Sequence, residues 1–407
     1  MKKVILLLAA VICTAGAFAQ KSNVSKAKNK ALSSEPDFAG ARTAIKLALE
    51  HEDTKDLANT WYVAGLIGYK QNEKFYLKAQ MGQSYDEKSK GKAVVESYDY
   101  FVKAYELSQI PNEKGKIDKK TPKNLKSKMM EYYIQSHNLV AYGAELFEEK
   151  NYKETLKVFD KFLAIPDMAM FNEEDKVKLP KDSTYKMIKY FKAIAASNAE
   201  MSDVAISTFT DLKDEEYETK VVYQLLYEEY VKVKDTANYV ATLKEGFQLF
   251  PTEPWFLQNL INHFIFSGKL DEAIAYLDNA IEQEPNVAQY HYVKANLDEN
   301  AGKVDDAIAG FNKALELDPK MDEACAGIGR VYFNQAVKMQ EDAAKINDDV
   351  EYNQALEAIK GMFEKSLPFF EKAAQIDPAE SEHKKTLRTL YYRLGMDKEY
   401  ETIGAEL

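Results

Sequence analysis

The sequence predicts an all-α chain in which antiparallel helix pairs stack as a solenoid, and three observations carry that expectation. First, landmarks recur 34 residues apart: Gly268 and Gly302, Ala280 and Ala314, Pro285 and Pro319. Ala273 and Ala307 keep the same step, each followed four residues on by a bulky side chain, Leu277 and Phe311. A fixed period of this size marks stacked helix pairs: small residues let helices approach, a large one fills the gap, and proline ends the second helix. Gly268-Lys-Leu-Asp-Glu-Ala and Gly302-Lys-Val-Asp-Asp-Ala supply the turn inside each pair, with acidic residues at the positive end of the next helix. Second, 407 residues exceed one ordinary core, which leaves several domains or a repeat array. Third, 17 Gly and 11 Pro, with 46% hydrophobic and 29% charged residues, favour the array.

The landmark pattern resembles the tetratricopeptide-repeat family, in register across residues 254–319. The resemblance implies a right-handed superhelix whose first helices line a concave face. It is specific from about Pro254 to Pro378 and looser across the rest of the chain.

From the N-terminus, Lys2 and Lys3, the apolar run Val4 to Ile12 and Ala17-Phe18-Ala19 read as a secretory leader at residues 1–19. Cleavage after Ala19 predicts a periplasmic chain starting at Gln20, with no membrane span left, because the apolar run is too short for a bilayer core of ~30 Å. Residues 20–30 are polar and expected to be flexible. Ala31 to Thr54 predicts one amphipathic helix. Trp61, Ala64 and Gly65 mark the next helix, and Phe101 and Ala104 its partner, in a lengthened hairpin near residues 57–108. The lysine-rich stretch Asn112 to Lys123 reads as a loop, followed by a degenerate pair at Gly143, Leu146, Phe159 and Phe162. A second loop, Pro166 to Ser183, carries Met168-Ala-Met170-Phe171. Both loops are expected at the surface, with partner contact as the less common use of such segments.

Two further degenerate pairs follow, one at Ala193, Ala196, Ala205, Phe209 and Leu212, and one at Tyr223, Leu226, Tyr227 and Tyr230 with Leu243, Gly246 and Pro251. Residues 31–253 thus form a degenerate array and 254–378 a well-defined one. The last unit of the latter, near residues 323–376, begins at Ile328-Gly329 and Tyr332 and closes at Phe370, Ala373 and Pro378. A surplus of residues should lengthen both of its helices around Asn347-Asp348. Residues 379–407, with Leu387, Tyr391 and Gly395, form the cap.

Charge is uneven: 21 basic against 14 acidic residues from Gln20 to Met130, then 31 against 51 from Glu131 to Leu407. The acidic bulk and the export leader argue against a duplex nucleic acid as partner. Loss of Cys13 with the leader leaves Cys325 alone, so no internal disulfide forms and burial is expected. His51, His137, His263, His291 and His383 show no metal-ligand spacing. Glycine-rich phosphate loops, G-x-S-x-G elbows and Walker lysines are missing from the sequence. Carboxylate pairs such as Glu215-Glu216 and Asp305-Asp306 read as solvated helix starts rather than acid-base dyads. The sequence therefore predicts no cofactor, no metal and no catalytic residue.

The resemblance assigns a concave face to Trp255, Gln258, Asn262 and Ile265, then Gln289, Tyr292, Asn296 and Glu299, then Glu323, Arg330 and Phe333. Asn262, Asn296 and Arg330 fall one unit apart, a ladder that suits an extended peptide backbone or a carboxylate. The carboxylate clamp of the chaperone-binding branch adds lysines, and Gln258 and Glu323 stand in their places. His291, Cys325 and Trp61 are expected to pack against neighbouring helices. These residues predict a non-catalytic exported scaffold or adaptor that holds a segment of another envelope or secreted protein. The alternative is a glycan- or small-ligand-binding component of an outer-membrane uptake system.

Overall fold

Every regular element among the described residues, 21–407 of the computed structural model, is helical. The expected leader and Cys13 lie outside them. The chain divides into two units, one ending at Tyr239 and one running from Val240 to Leu407, so the division falls within a helix.

In the first unit, α1 (residues 21–32), α2 (Phe38–Leu49), α3 (Ala58–Gln80) and α4 (Glu87–Ser108) precede α5 (Lys120–Ile134), α6 (Leu139–Glu148) and α7 (Tyr152–Ala164). A 3-10 turn at Ile165–Asp167 leads to α8 (Glu173–Lys176), α9 (Ser183–Asn198), α10 (Ser202–Leu212) and α11 (Thr219–Lys232). Helix α12 (Thr236–Leu249) contains the division. The second unit holds α13 (Pro254–Phe266), α14 (Leu270–Gln283), α15 (Ala288–Asn300), α16 (Val304–Leu317), α17 (Asp322–Ala343), α18 (Asp349–Ile376), α19 (Ser381–Leu394) and α20 (Asp397–Gly404).

Several local expectations are corrected. Residues 21–30 belong to α1 instead of a flexible tail, because Val24, Ala27 and Ala31 form a stripe that is buried with Ala41, Ala44, Ile45 and Ala48 of α2. The single helix expected from Ala31 to Thr54 is broken at Ser33–Pro36, and Asp37 caps α2 by accepting the Gly40 amide at 2.8 Å. The lysine-rich loop ends early. Asp118 accepts the amides of Lys120 and Thr121 at 2.8 and 3.2 Å and starts α5, whose Leu125, Met129, Tyr132 and Tyr133 are buried. The loop from Pro166 to Ser183 is packed down rather than presented: Met170, Phe171 and Leu179 are buried in the first unit's core, and an Asn172–Asp175 capping box holds its short helix.

A turn with one left-handed residue joins the two helices within each of four successive pairs. Glu200, Lys234, Gly268 and Gly302 stand 34 residues apart with φ of 60°, 60°, 68° and 74°. The amide after each bonds back to the preceding helix, as Met201 to the Ala196 carbonyl at 2.9 Å and Lys303 to the Asp298 carbonyl at 2.8 Å. That six-to-one closure satisfies carbonyls which the helix end leaves open. Glycines face phenylalanines both inside a pair and between pairs: a Cβ on Gly143 of α6 would lie 2.2 Å from the Phe159 ring of α7, and one on Gly327 of α17 2.6 Å from Phe311 of the preceding α16. The lengthened hairpin near residues 57–108 consists of α3 and α4, 23 and 22 residues long, and the one near 323–376 of α17 and α18, 22 and 28 residues long, with Asp348 capping the last. Cys325 is fully buried in the core of the latter hairpin. Trp61 is half-buried against the first unit's core and donates from Nε1 to the Lys55 carbonyl at 2.6 Å.

Candidate functional site

Helices α13, α15 and α17 of the second unit present one wall each to a groove of about 490 Å³. Gln258, Asn262 and Ile265 share a face of α13 because steps of four and three residues return to the same side of a 3.6-residue helix, and Gln289, Tyr292 and Asn296 do so on α15. Glu323 closes the groove from the first turn of α17. Desolvation at this wall, with Asp322 alongside, pushes the Glu323 carboxyl above its usual range. Burial likewise raises the Tyr292 phenol, whose ring lies 5.9 Å from Phe311.

Five of the eight main sequence candidates therefore meet in one groove, and three do not. Trp255 is half-buried beside it, its ring perpendicular to Phe256 at 5.1 Å, while Pro254 takes the place at the wall. Arg330 and Phe333 line a separate cavity of about 410 Å³ with Phe370 and His383. Phe333 packs edge-on to Phe363 at 5.3 Å.

Arg330 sits in the expected ladder, but its fork is already taken. Nε reaches both Glu299 oxygens at 3.1 Å, and Nη2 donates to Glu299 Oε2 at 2.7 Å and to Asn296 Oδ1 at 2.6 Å. The Asn296 amide nitrogen in turn donates to the Tyr292 carbonyl at 3.0 Å, and Asn334 donates to Glu299 at 3.3 Å. Two rungs of the ladder, Asn296 and Arg330, thus form an internal brace between α15 and α17. The groups left facing the groove include the exposed or half-exposed amides Gln258, Asn262, Gln289 and Asn300, the exposed Ile265 and the Glu323 carboxylate. This set pairs with peptide groups and accepts a basic side chain, and it is poorly suited to an isolated carboxylate.

Sequence reasoning missed two contributors. His383 of α19 lies within hydrogen-bond distance of Asp322 at 2.8 Å, tying the cap to the start of α17. Asn300 also lines the groove, one helical turn past Asn296, a spacing that marks it once α15 is in register. His291 is only partly covered, and its Nε2 lies 2.8 Å from the Pro285 carbonyl. Among the described residues no group of three or more His, Cys, Asp or Glu side chains is placed to hold a metal, and no helix is long and apolar enough to cross a membrane.

Residues 259–322, which contain Asn262, Gln289, Tyr292 and Asn296, match the tetratricopeptide repeat family. A search of curated proteins returns no match. Among solved structures, the chain is similar to a TPR repeats protein from Bacteroides fragilis, 17% identical, with 62% of this chain and 96% of that one covered at a TM-score of 0.34. It is also similar to the C-terminal part of a TPR repeat-containing protein from Cytophaga hutchinsonii, 17% identical, covering 65% and 92% at a TM-score of 0.38. PilW, described as a widely conserved type IV pilus biogenesis factor, is 13% identical, covering 56% and 93% at a TM-score of 0.35.

Proposed function

We propose that this chain, with tetratricopeptide repeats across residues 259–322, is a non-catalytic scaffold that holds an extended segment of another protein in the groove between α13, α15 and α17. The observation that carries the reading is the convergence of Gln258, Asn262 and Gln289 with Ile265 and Glu323 on one concave surface. Amides satisfy the unpaired backbone of an extended strand, Ile265 receives an apolar side chain, and Glu323 selects a lysine or arginine. The expected leader at residues 1–19 supports an envelope or secreted partner; sequencing of the exported protein should then begin at Gln20. The test is capture of the partner on wild type and on a folded Gln258→Ala, Asn262→Ala, Gln289→Ala variant. Loss with the variant supports the groove, and equal capture by both rejects it.

A second reading, binding of a glycan or small polar ligand, is favoured by a different cavity of about 330 Å³ in the same unit. Tyr276, Tyr290 and Phe247 line it with the amides of Gln248, Asn279 and Gln283, and aromatic rings with amides are the chemistry of sugar recognition. Glycan binding abolished by Tyr276→Ala, with peptide capture unchanged, would establish this reading.

A further inference from the structure

We infer that a groove in the first unit, between the α1–α2 corner and the C-terminal half of α3, docks an acidic amphipathic helix of a partner protein. The groove measures about 490 Å³. Its apolar lining is open to solvent: Leu32 is 46% exposed, Leu77 58% and Met81 63%. Three large side chains so exposed along one concavity are costly in water unless something covers them.

The α3 wall is a single stripe. Lys70, Lys74, Leu77, Lys78 and Met81 follow steps that return to one side of a helix, so cations and apolar groups alternate along the same face. Of the charged residues lining the groove, three are lysines, and the carboxylate among them, Glu73, is committed to Lys70 at 2.6 Å. Lys74 and Lys78 therefore set a positive rim beside the apolar floor, which calls for acidic residues flanking leucine-sized side chains in the occupant.

Both walls are preformed. Ser33 Oγ donates to the Lys30 and Glu35 carbonyls at 3.2 and 2.7 Å, and the Asp37 amide donates to the Lys30 carbonyl at 3.1 Å. The end of α3 is closed by the Gln83 amide on the Lys78 carbonyl at 2.9 Å, past Gly82 at φ 67°. A preorganised groove loses little entropy on binding. Its concavity favours a helix, which inserts side chains, over a bilayer, whose surface cannot follow an inward curve.

The test uses a displayed library of 16-residue helical peptides selected against the chain from Gln20 to Leu407. Counter-selection uses Leu77→Asp/Met81→Asp, two changes at exposed positions that circular dichroism should find folded. The expected result is enrichment of acidic sequences with apolar residues at three- and four-residue steps. These should bind about tenfold or more weakly to Lys74→Glu/Lys78→Glu, while a charge-reversed basic peptide recovers binding to that variant. Failure to enrich any sequence over the counter-selected variant would overturn the inference, as would enrichment of basic peptides. So would sedimentation with phosphatidylglycerol vesicles that is lost in the same variants, because it would make the groove a membrane contact. None of these outcomes bears on the groove of the second unit.

Discussion

Arg330 and Glu299, on adjacent first helices of the second unit, form a forked ion pair with Nε at 3.1 Å and Nη2 at 2.7 Å from the carboxylate, and the same Nη2 also holds Asn296. The pair lies 31 residues apart in sequence, one helical turn short of a full repeat. Its consequence is that the guanidinium fixes how α15 meets α17, and in the proposed site ligand contact falls to the amides.

Replacing Arg330 with Ala should therefore act on stability first. It leaves the Glu299 side chain, only 14% exposed, without its main donors, a loss of about 1–3 kcal/mol. Urea unfolding measures it. An Arg330→Ala variant as stable as wild type would show that the brace contributes nothing.

Two glycines in helices should respond in opposite ways. Gly143→Ala forces a Cβ to within 2.2 Å of the Phe159 ring and should cost about 1–3 kcal/mol. Nothing lies within 4 Å of a Cβ on Gly361 in the long helix α18, so Gly361→Ala should add about 0.5–1 kcal/mol. Thermal melts of the two variants should shift in opposite directions.

The helical class and the small-against-large packing were legible because both repeat along the chain. The turn that repeats with them was only half legible: glycine marks it at 268 and 302, whereas Glu200 and Lys234 adopt the same left-handed conformation without that signal. Helices α1 and α5 were obscured by lysine-rich composition, although Val24, Ala27 and Ala31, and Leu125, Met129 and Tyr132, keep helical steps. At the site, a repeat register places residues on a face but does not say which of them bind each other. Arg330 was in register, and only the folded structure reveals that Glu299 occupies it.

Lys234 at φ 60° carries the strain of a side chain in the left-handed region. Lys234→Gly should relieve it and stabilise the first unit by up to about 1 kcal/mol, read as a higher denaturation midpoint. A lower midpoint would mean that the lysine side chain contributes more than its backbone costs.

Glu229, 1% exposed, supplies a pH dependence. Burial alone would raise its pKa, but hydrogen bonds from Lys232, Ser197 and Ser202 hold it below the ordinary 4.5. A depressed carboxyl stabilises the fold above its unfolded pKa, and that contribution is lost as pH falls through the folded value. Glu229→Gln should be less stable at pH 7 and lose less stability than wild type as pH drops below 4.5. Parallel acid limbs in the two proteins would contradict this.

The most direct test of the scaffold account places a photo-crosslinking amino acid at Asn262 in the groove and, in a second protein, at the exposed Asn312 of α16, in the cells that produce the chain. The account predicts one defined segment of a second protein joined at 262, carrying a basic residue near the attachment point, and nothing comparable at 312. Attachment of that segment at 312 alone, or of many unrelated proteins at both positions, would contradict it.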